Sequence, residues 1–309
     1  MTWCCMHVLM CVAVAGLSPL ELRLSLDGDT FLPLEPVYVE LTVTNPGHSV
    51  VEMPVINDAS VGYVFDFQVM FPDGRAVLAR PRIADLNWPI VSLQPGDSTH
   101  AERDLIEREI ESPMHLQAGT YEVHVRRGSE KSDSHVFVIR EPEDAEMAAL
   151  LMYQDLLYYR WTVYWNRPNG PELLTPAARI KDKARRVEDL ARKIAKSYLK
   201  TPYGVMAELE LAAVYHRRLH SLRTGTPQIQ KTAWADSVRS VYRRALAAHL
   251  NSRIAEYALR RTRLPEVCYD SLFLRSLLEE LASNGPGTRV GKEAARQLRE
   301  LNDRSGGRN

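Results

Sequence analysis

Hydrophobic and polar positions alternate with a period of two from Leu20 to about Glu141, and with a period near 3.6 after Pro142. Leu20-Glu21-Leu22-Arg23-Leu24-Ser25-Leu26 and Val37-Tyr38-Val39-Glu40-Leu41-Thr42-Val43-Thr44 alternate cleanly, and each ends at turn residues. The same pattern predicts strands over Tyr63 to Phe71, Ser98 to Leu105, Thr120 to Arg127 and Ser134 to Arg140, with Pro72-Asp73-Gly74-Arg75 and Pro95-Gly96 as turns. About seven short strands broken by Gly and Pro, with no helical period between them, predict a two-sheet sandwich.

In the second half, Asp144 to Trp165 is an apolar, aromatic helix. Three Thr-Pro pairs follow: Thr175-Pro176, Thr201-Pro202 and Thr226-Pro227. In each, Thr can accept from orphan amides while Pro takes the first helical position, where its missing N–H costs nothing. Their spacing predicts helices of about 20 residues joined by short connections. Further helices are expected over Ser252 to Arg261, Pro265 to Ala282 and Thr288 to Asn302, with Gly285-Pro286-Gly287 as a break.

The predicted fold class is α+β in two segregated domains. An all-β sandwich spans residues 17–142, an all-α helical-hairpin array spans 143–303, and 304–309 form a disordered tail. Residues 1–16 precede them as an address. Thr2 to Gly16 is a nearly unbroken apolar run ending in Ala13-Val14-Ala15-Gly16, which reads as a secretory signal peptide and is shorter than a bilayer-crossing helix. The expected location is therefore secreted or periplasmic. Cys4, Cys5 and Cys11 fall inside that run, and the bulky Met10 before Cys11 argues against lipidation. Only Cys268 remains, too few for an intramolecular disulfide; among Leu264, Val267 and Leu272 it reads as a small buried hydrophobe.

Two resemblances add to this reading. The strand ending Leu41-Thr42-Val43-Thr44-Asn45, the Pro-Asp-Gly-Arg hairpin, the step Leu93-Gln94-Pro95-Gly96-Asp97-Ser98 and the strand entry Leu116-Gln117-Ala118-Gly119-Thr120-Tyr121 resemble bacterial immunoglobulin-like domains. They are similar in particular to the type named for a bacterial intracellular proteinase inhibitor. Tyr121 suits a tyrosine corner, its hydroxyl bonding back to the loop. Such a sandwich specifies a fold and hosts many activities. Residues 185–303, with Lys200 to Ala212 as the best match, resemble degenerate tetratricopeptide-like repeats, although no regular 34-residue period survives.

Charge changes the picture once it is divided. The chain carries 39 basic and 39 acidic side chains, which excludes a uniformly basic nucleic-acid binder. Residues 17–142 hold 20 acidic and 10 basic groups, leaving 19 acidic and 29 basic for 143–309. Zero net charge is thus a cancellation. Opposite charges favour docking of the two domains on each other, and the basic run from Arg179 to Lys200 could meet anionic envelope surfaces, or be a solvated helix face interrupted by Glu188 and Asp189.

No serine-nucleophile elbow, phosphate loop, zinc-protease helix or paired-cysteine motif occurs, so no catalytic residue, cofactor or metal site is assigned. His216 and His220 share a helix face at metal-chelating spacing, but Arg217 and Arg218 beside them would repel a cation. His100, His115, His124 and His135 fall on or near neighbouring strands. Acidic pairs such as Glu279 and Glu280 read as solvated surface. The most distinctive stretch is aromatic: Trp161, Tyr164, Trp165 and Arg167 are candidate partner-binding residues, and the same cluster would also serve as a plug at the domain junction. The functional expectation is a non-enzymatic binding or scaffolding protein engaging an unidentified protein partner. The alternatives are a protease inhibitor or regulator acting through a loop such as Arg80-Pro81-Arg82-Ile83-Ala84-Asp85, and a His-dependent hydrolase.

Overall fold

The computed structural model describes residues 20–56, 61–79, 89–105, 117–164, 177–221, 228–260 and 271–306. It contains both sheets and helices, and is a mixed α+β fold. By contacts the chain divides into two units. One holds the strands; the other comprises Leu32–Glu35, residues 116–118 and everything from Arg140 onward.

In the strand unit, β1 (Glu21–Leu26), β3 (Tyr38–Thr44) and β8 (Ser98–Asp104) form one antiparallel sheet in the order β1-β3-β8. A second sheet has the order β2-β11-β9-β5-β6, from β2 (Thr30–Phe31), β11 (His135–Ile139), β9 (Gly119–Arg127), β5 (Asp66–Met70) and β6 (Ala76–Ala79), with β10 (Glu130–Lys131) paired to β9. A separate ladder joins β4 (Val51–Pro54) to β7 (Ile90–Leu93). Alternation sets the buried faces: Leu22 and Leu24 on β1, Val39, Leu41 and Val43 on β3, Phe67 and Val69 on β5, Tyr121, Val123 and Val125 on β9. The two sheets meet where the Arg103 guanidinium of β8 lies 4.8 Å above the Phe67 ring of β5.

Two of the quoted sequence steps converge on one side chain. Asn45 is fully buried, its Nδ2 donating to the carbonyls of Ser49 (2.8 Å) and Leu93 (2.9 Å) while Oδ1 accepts from Gly47 N. Its backbone exchanges bonds with Gly96 and Asp97, so the end of β3 is tied to the turn before β8. The Tyr121 ring stacks on Phe137 at 5.3 Å and meets Phe71 edge-on. One strand expectation needs correction: Val61–Val64 form a helical turn, α1, and β5 begins only at Asp66. The expected turn Pro72–Arg75 joins β5 to β6 as a hairpin, whereas the pairing of β4 with β7 uses two segments of four residues, too short for a clear period.

The helical unit contains α2 (Asp144–Tyr164), α3 (Ala177–Ser197), α4 (Pro202–Ser221), α5 (Gln228–Ala248), α6 (Arg253–Arg260), α7 (Ser271–Asn284) and α8 (Arg289–Gly306). Glu146 closes the start of α2, accepting from Glu143 N (2.9 Å) and from both Arg140 Nη groups, which hold its carboxyl below the usual range. Thr201 caps α4 with Pro202 in the first turn, as its sequence predicts. The helices α3 and α5 begin directly after Pro176 and Pro227, which lie outside the described residues. The last helix runs on to Gly306, past Asn302 and into the stretch expected as a tail.

One turn recurs three times. Before α4, α6 and α8, Thr201, Ser252 and Thr288 donate their backbone N–H to the carbonyl three residues earlier (Tyr198, His249 and Gly285). Each hydroxyl then accepts from the N–H three residues later, at Gly204, Ala255 and Gly291. That last position must be small: a Cβ on Gly204 would sit 2.3 Å from the Tyr198 carbonyl oxygen, and one on Gly291 1.8 Å from that of Gly285. The shared turn makes α3–α4, α5–α6 and α7–α8 equivalent pairs. The even helices pack in sequence, α2 on α4, α4 on α6 and α6 on α8, while α3 packs on α2 and α4, α5 on α4, α6 and α7, and α7 on α8.

The helical core includes a guest segment. Leu32 and Leu34 are buried among the apolar residues of the helices, and Glu35 closes the turn by accepting from Leu32 N (2.9 Å) while Arg253 Nη2 donates to its other oxygen (2.9 Å). Leu34 adopts φ +65°, a left-handed conformation that costs a non-glycine residue about 1 kcal/mol or more.

Candidate functional site

Helix α4 is buried along most of its length: Tyr203 to Glu208 are all inaccessible, as are Leu211, Ala212, Val214 and Tyr215. A charge on the buried part of such a helix must be paired, because an unpaired buried ion costs several kcal/mol. Glu208 is only 3% exposed and lies between Arg244 of α5 (2.9 Å) and His249 (3.5 Å). Burial pushes its carboxyl up, but the imidazole of His249 beside it and the hydrogen-bonded Arg244 together outweigh it and hold the pKa below the usual range. Glu210 takes Arg160 of α2 at 2.7 Å and has Arg217 at 3.7 Å.

Across α4, the buried Glu188 of α3 binds two arginines, Arg192 one turn on (2.7 Å) and Arg218 of α4. Here too burial raises and the arginines lower, with a net depression of the pKa. The Arg192 Nη2 also donates to the Tyr215 hydroxyl, and its guanidinium lies 5.6 Å above that ring. Burial keeps the Tyr215 hydroxyl protonated above its ordinary range, against the opposing charge of Arg192. Trp234 meets Tyr215 edge-on at 5.5 Å and carries Arg218 on its face at 5.4 Å. The result is an arginine and aromatic lattice stapled from below by carboxylates.

Above this lattice lies a groove of about 360 Å³. Leu211, Tyr215 and Val241 supply its apolar lining, Arg192 comes from α3, and Ser240 and Arg244 come from α5, with Asp236 and Ser237 completing it. The two arginine side chains are about half exposed (56% and 55%), whereas the carboxylates that hold them are 11% and 4% exposed. Guanidinium groups therefore face solvent while their counter-charges are turned inward. Asp236 is engaged by Arg239 (3.4 Å), and Ser237 spends its hydroxyl hydrogen on the Ala233 carbonyl (2.8 Å). The groove offers donors fixed in direction, which suits an acceptor-rich ligand. It offers no nucleophile with a base beside it, and among the described residues no three metal-binding side chains cluster.

The candidates from sequence are distributed differently. Trp161 and Tyr164 lie in the last part of α2, with side chains outside the described set, and Trp165 and Arg167 lie outside the described residues. Cys268, His115, the loop 80–85 and the N-terminal address also lie outside them. His216 and His220 both fall on α4, His216 half-buried. His124 and His135 occupy neighbouring strands, but His135 is paired with Val123, the residue before His124, so the two imidazoles leave opposite faces of the sheet. His100 belongs to the other sheet. Glu280 is not simply solvated surface: Arg243 reaches it from α5 at 3.1 Å. The i,i+4 pair of Glu188 and Arg192 was readable within the basic run, and Tyr215 within α4; their convergence with Arg244 was not.

No family model and no curated protein matches the chain. Among solved structures, it is similar to a β-glucosidase from Listeria innocua at 16% identity and TM-score 0.27, over 40% of this chain and 16% of that one. It is also similar to Spo0M, a sporulation control protein from Bacillus subtilis, at 12% identity and TM-score 0.26, over 45% of this chain and 56% of that one. The chain therefore spans a small part of the first and little over half of the second. No helix among the described residues is long and apolar enough to cross a membrane.

Proposed function

We propose that this protein is a non-enzymatic binding or scaffolding protein of the bacterial envelope. In this reading an immunoglobulin-like β-sandwich is followed by a segregated helical-hairpin array, and the array engages a protein partner. One observation carries the reading: the recurrent turn at Thr201, Ser252 and Thr288 generates equivalent helix pairs whose even members pack one on the next. Stacked helix pairs build long continuous surfaces from local contacts alone, and such surfaces are suited to binding extended partners. The groove over α4 is a polar recess on that array rather than a reaction centre. Envelope residence rests on the signal-like run before Gly16.

Affinity capture from envelope extract, followed by reciprocal capture with the recovered protein, tests the reading. A partner recovered in both directions is expected, with the purified chain silent across a panel of hydrolase substrates. Turnover of any such substrate, together with failure of reciprocal capture, would contradict it.

A further inference from the structure

We propose that the groove between α3 and α5 is a docking site for an acidic peptide segment of a partner protein, whose carboxylates meet Arg192 and Arg244. The inference rests on the array reading above and deepens it by naming the chemistry of the partner. Three features of the groove point the same way. First, both arginines line the groove, and the described bonds of Arg192 use Nε and Nη2 and that of Arg244 uses Nε, so Nη1 of the first and both terminal nitrogens of the second keep hydrogens to donate. Second, the carboxylates that hold the two arginines, Glu188 and Glu208, are buried while the guanidinium groups are about half exposed, so positive charge is what these pairs present to solvent. Third, the half of the chain that supplies the groove carries 29 basic against 19 acidic side chains, so an approaching acidic segment is attracted before it makes contact.

The cations are also held in place in advance. Arg192 is bonded at two nitrogens and stacked on Tyr215, and Arg244 is anchored to a carboxylate with 4% exposure, so little side-chain freedom remains to be lost on binding. Leu211, Tyr215 and Val241 give the groove apolar lining for the aliphatic stem of a Glu side chain, and the Ser240 hydroxyl stands at its rim on the exposed face of α5. A bare anion would use the guanidinium groups and leave that lining unused.

The test uses the full chain and a fluorescein-labelled octapeptide of alternating Glu and Ser, read by anisotropy, beside a Gln/Ser octapeptide and inorganic phosphate. The acidic peptide should bind at least about tenfold more tightly than the neutral one, and should weaken several-fold between about 50 and 300 mM salt. Ser240→Trp, which fills the groove from an exposed position, should abolish binding, while Ser283→Trp on α7 should leave it unchanged; circular dichroism establishes that both variants fold. Equal binding of the two peptides, unchanged affinity in folded Ser240→Trp, or phosphate competing as strongly as the peptide would overturn the proposal. If the groove fails these tests while a captured partner still protects other helical amides from hydrogen exchange, the array reading survives; protection confined to strands would sink that reading too.

Discussion

Tyr203, in the first turn of α4, donates its hydroxyl hydrogen to the carbonyl oxygen of Pro33 across 2.7 Å. The bond spans 170 positions of sequence and seats the Leu32–Glu35 turn in the helical core, where Tyr153 packs on the same ring at 5.9 Å. Burial, reinforced by Glu35 and Glu146, drives the Tyr203 hydroxyl well above the usual tyrosine range, so it remains a donor at any working pH. Removing it by Tyr203→Phe leaves the Pro33 carbonyl without that donor and should cost about 1–2 kcal/mol in urea denaturation. Glu35→Ala, which removes both the acceptor of the Leu32 N–H and a carboxylate bound by Arg253, should cost more, about 2–4 kcal/mol. Equal stability of both variants with the parent would show that the turn is not held by these bonds.

The recurrent turn predicts a sharp contrast between small and slightly larger residues. Gly204→Ala and Gly291→Ala each push a methyl against a backbone carbonyl rather than a flexible side chain, so backbone must shift, and each should lower stability by about 2 kcal/mol or more. At Ala255, the corresponding place before α6, the methyl is already accommodated. Thr201→Ala and Thr288→Ala remove only the cap, and about 1 kcal/mol each is expected from thermal melts.

Glu208 makes stability depend on acid. Its folded pKa lies below the unfolded value of about 4.5, so its contribution is complete above that value and is lost as pH falls through the folded pKa. Glu208→Gln should therefore be less stable than the parent by about 2–4 kcal/mol at pH 7. The gap should narrow below about pH 4. A gap that stays constant from neutral to acid pH would remove Glu208 as its source.

In the strand unit, His124 has 6% exposure, and its Nδ1 has no hydrogen-bond partner among the described contacts. Burial first and Lys131 second hold its pKa below 6.5, with Arg126 acting the same way and Glu122 against them. The unfolded chain thus binds this proton more readily, so stability falls as pH drops through 6.5 toward the folded pKa. The protection factors of the β5 and β9 amides, taken relative to intrinsic exchange at each pH, should fall over that interval, and His124→Gln should flatten the response. A response of the same steepness in the variant would place the titration elsewhere.

What the sequence discloses follows from which signals are local. Alternation in Leu20 to Leu26 and Val37 to Thr44 marks β1 and β3 because each has one buried face. Thr201-Pro202 marks α4 because a cap and a first-turn proline act within a few residues. By contrast β4 and β7 pair only with one another, across a long separation, and neither carries a period of its own. The turns at Thr201, Ser252 and Thr288 are alike in hydrogen bonding yet unevenly spaced, so no repeat length betrays them. The groove was least legible. Arg192 lay within a basic run that also reads as solvated surface, and its meaning depends on Tyr215 and Arg244, which arrive from two other helices. Aromatic density drew attention to Trp161 and Trp165 instead, because composition registers abundance and not convergence.

Where a partner touches the chain decides most directly whether the helical array is the binding surface. A photo-crosslinking amino acid placed at Ser240, on the exposed face of α5, and separately at Val136, 56% exposed on β11, gives two vantage points on the full-length protein in its host cell. A partner adduct from Ser240 and none from Val136 is the predicted result. Adducts from Val136 alone would contradict the claim that the helical array is the binding surface.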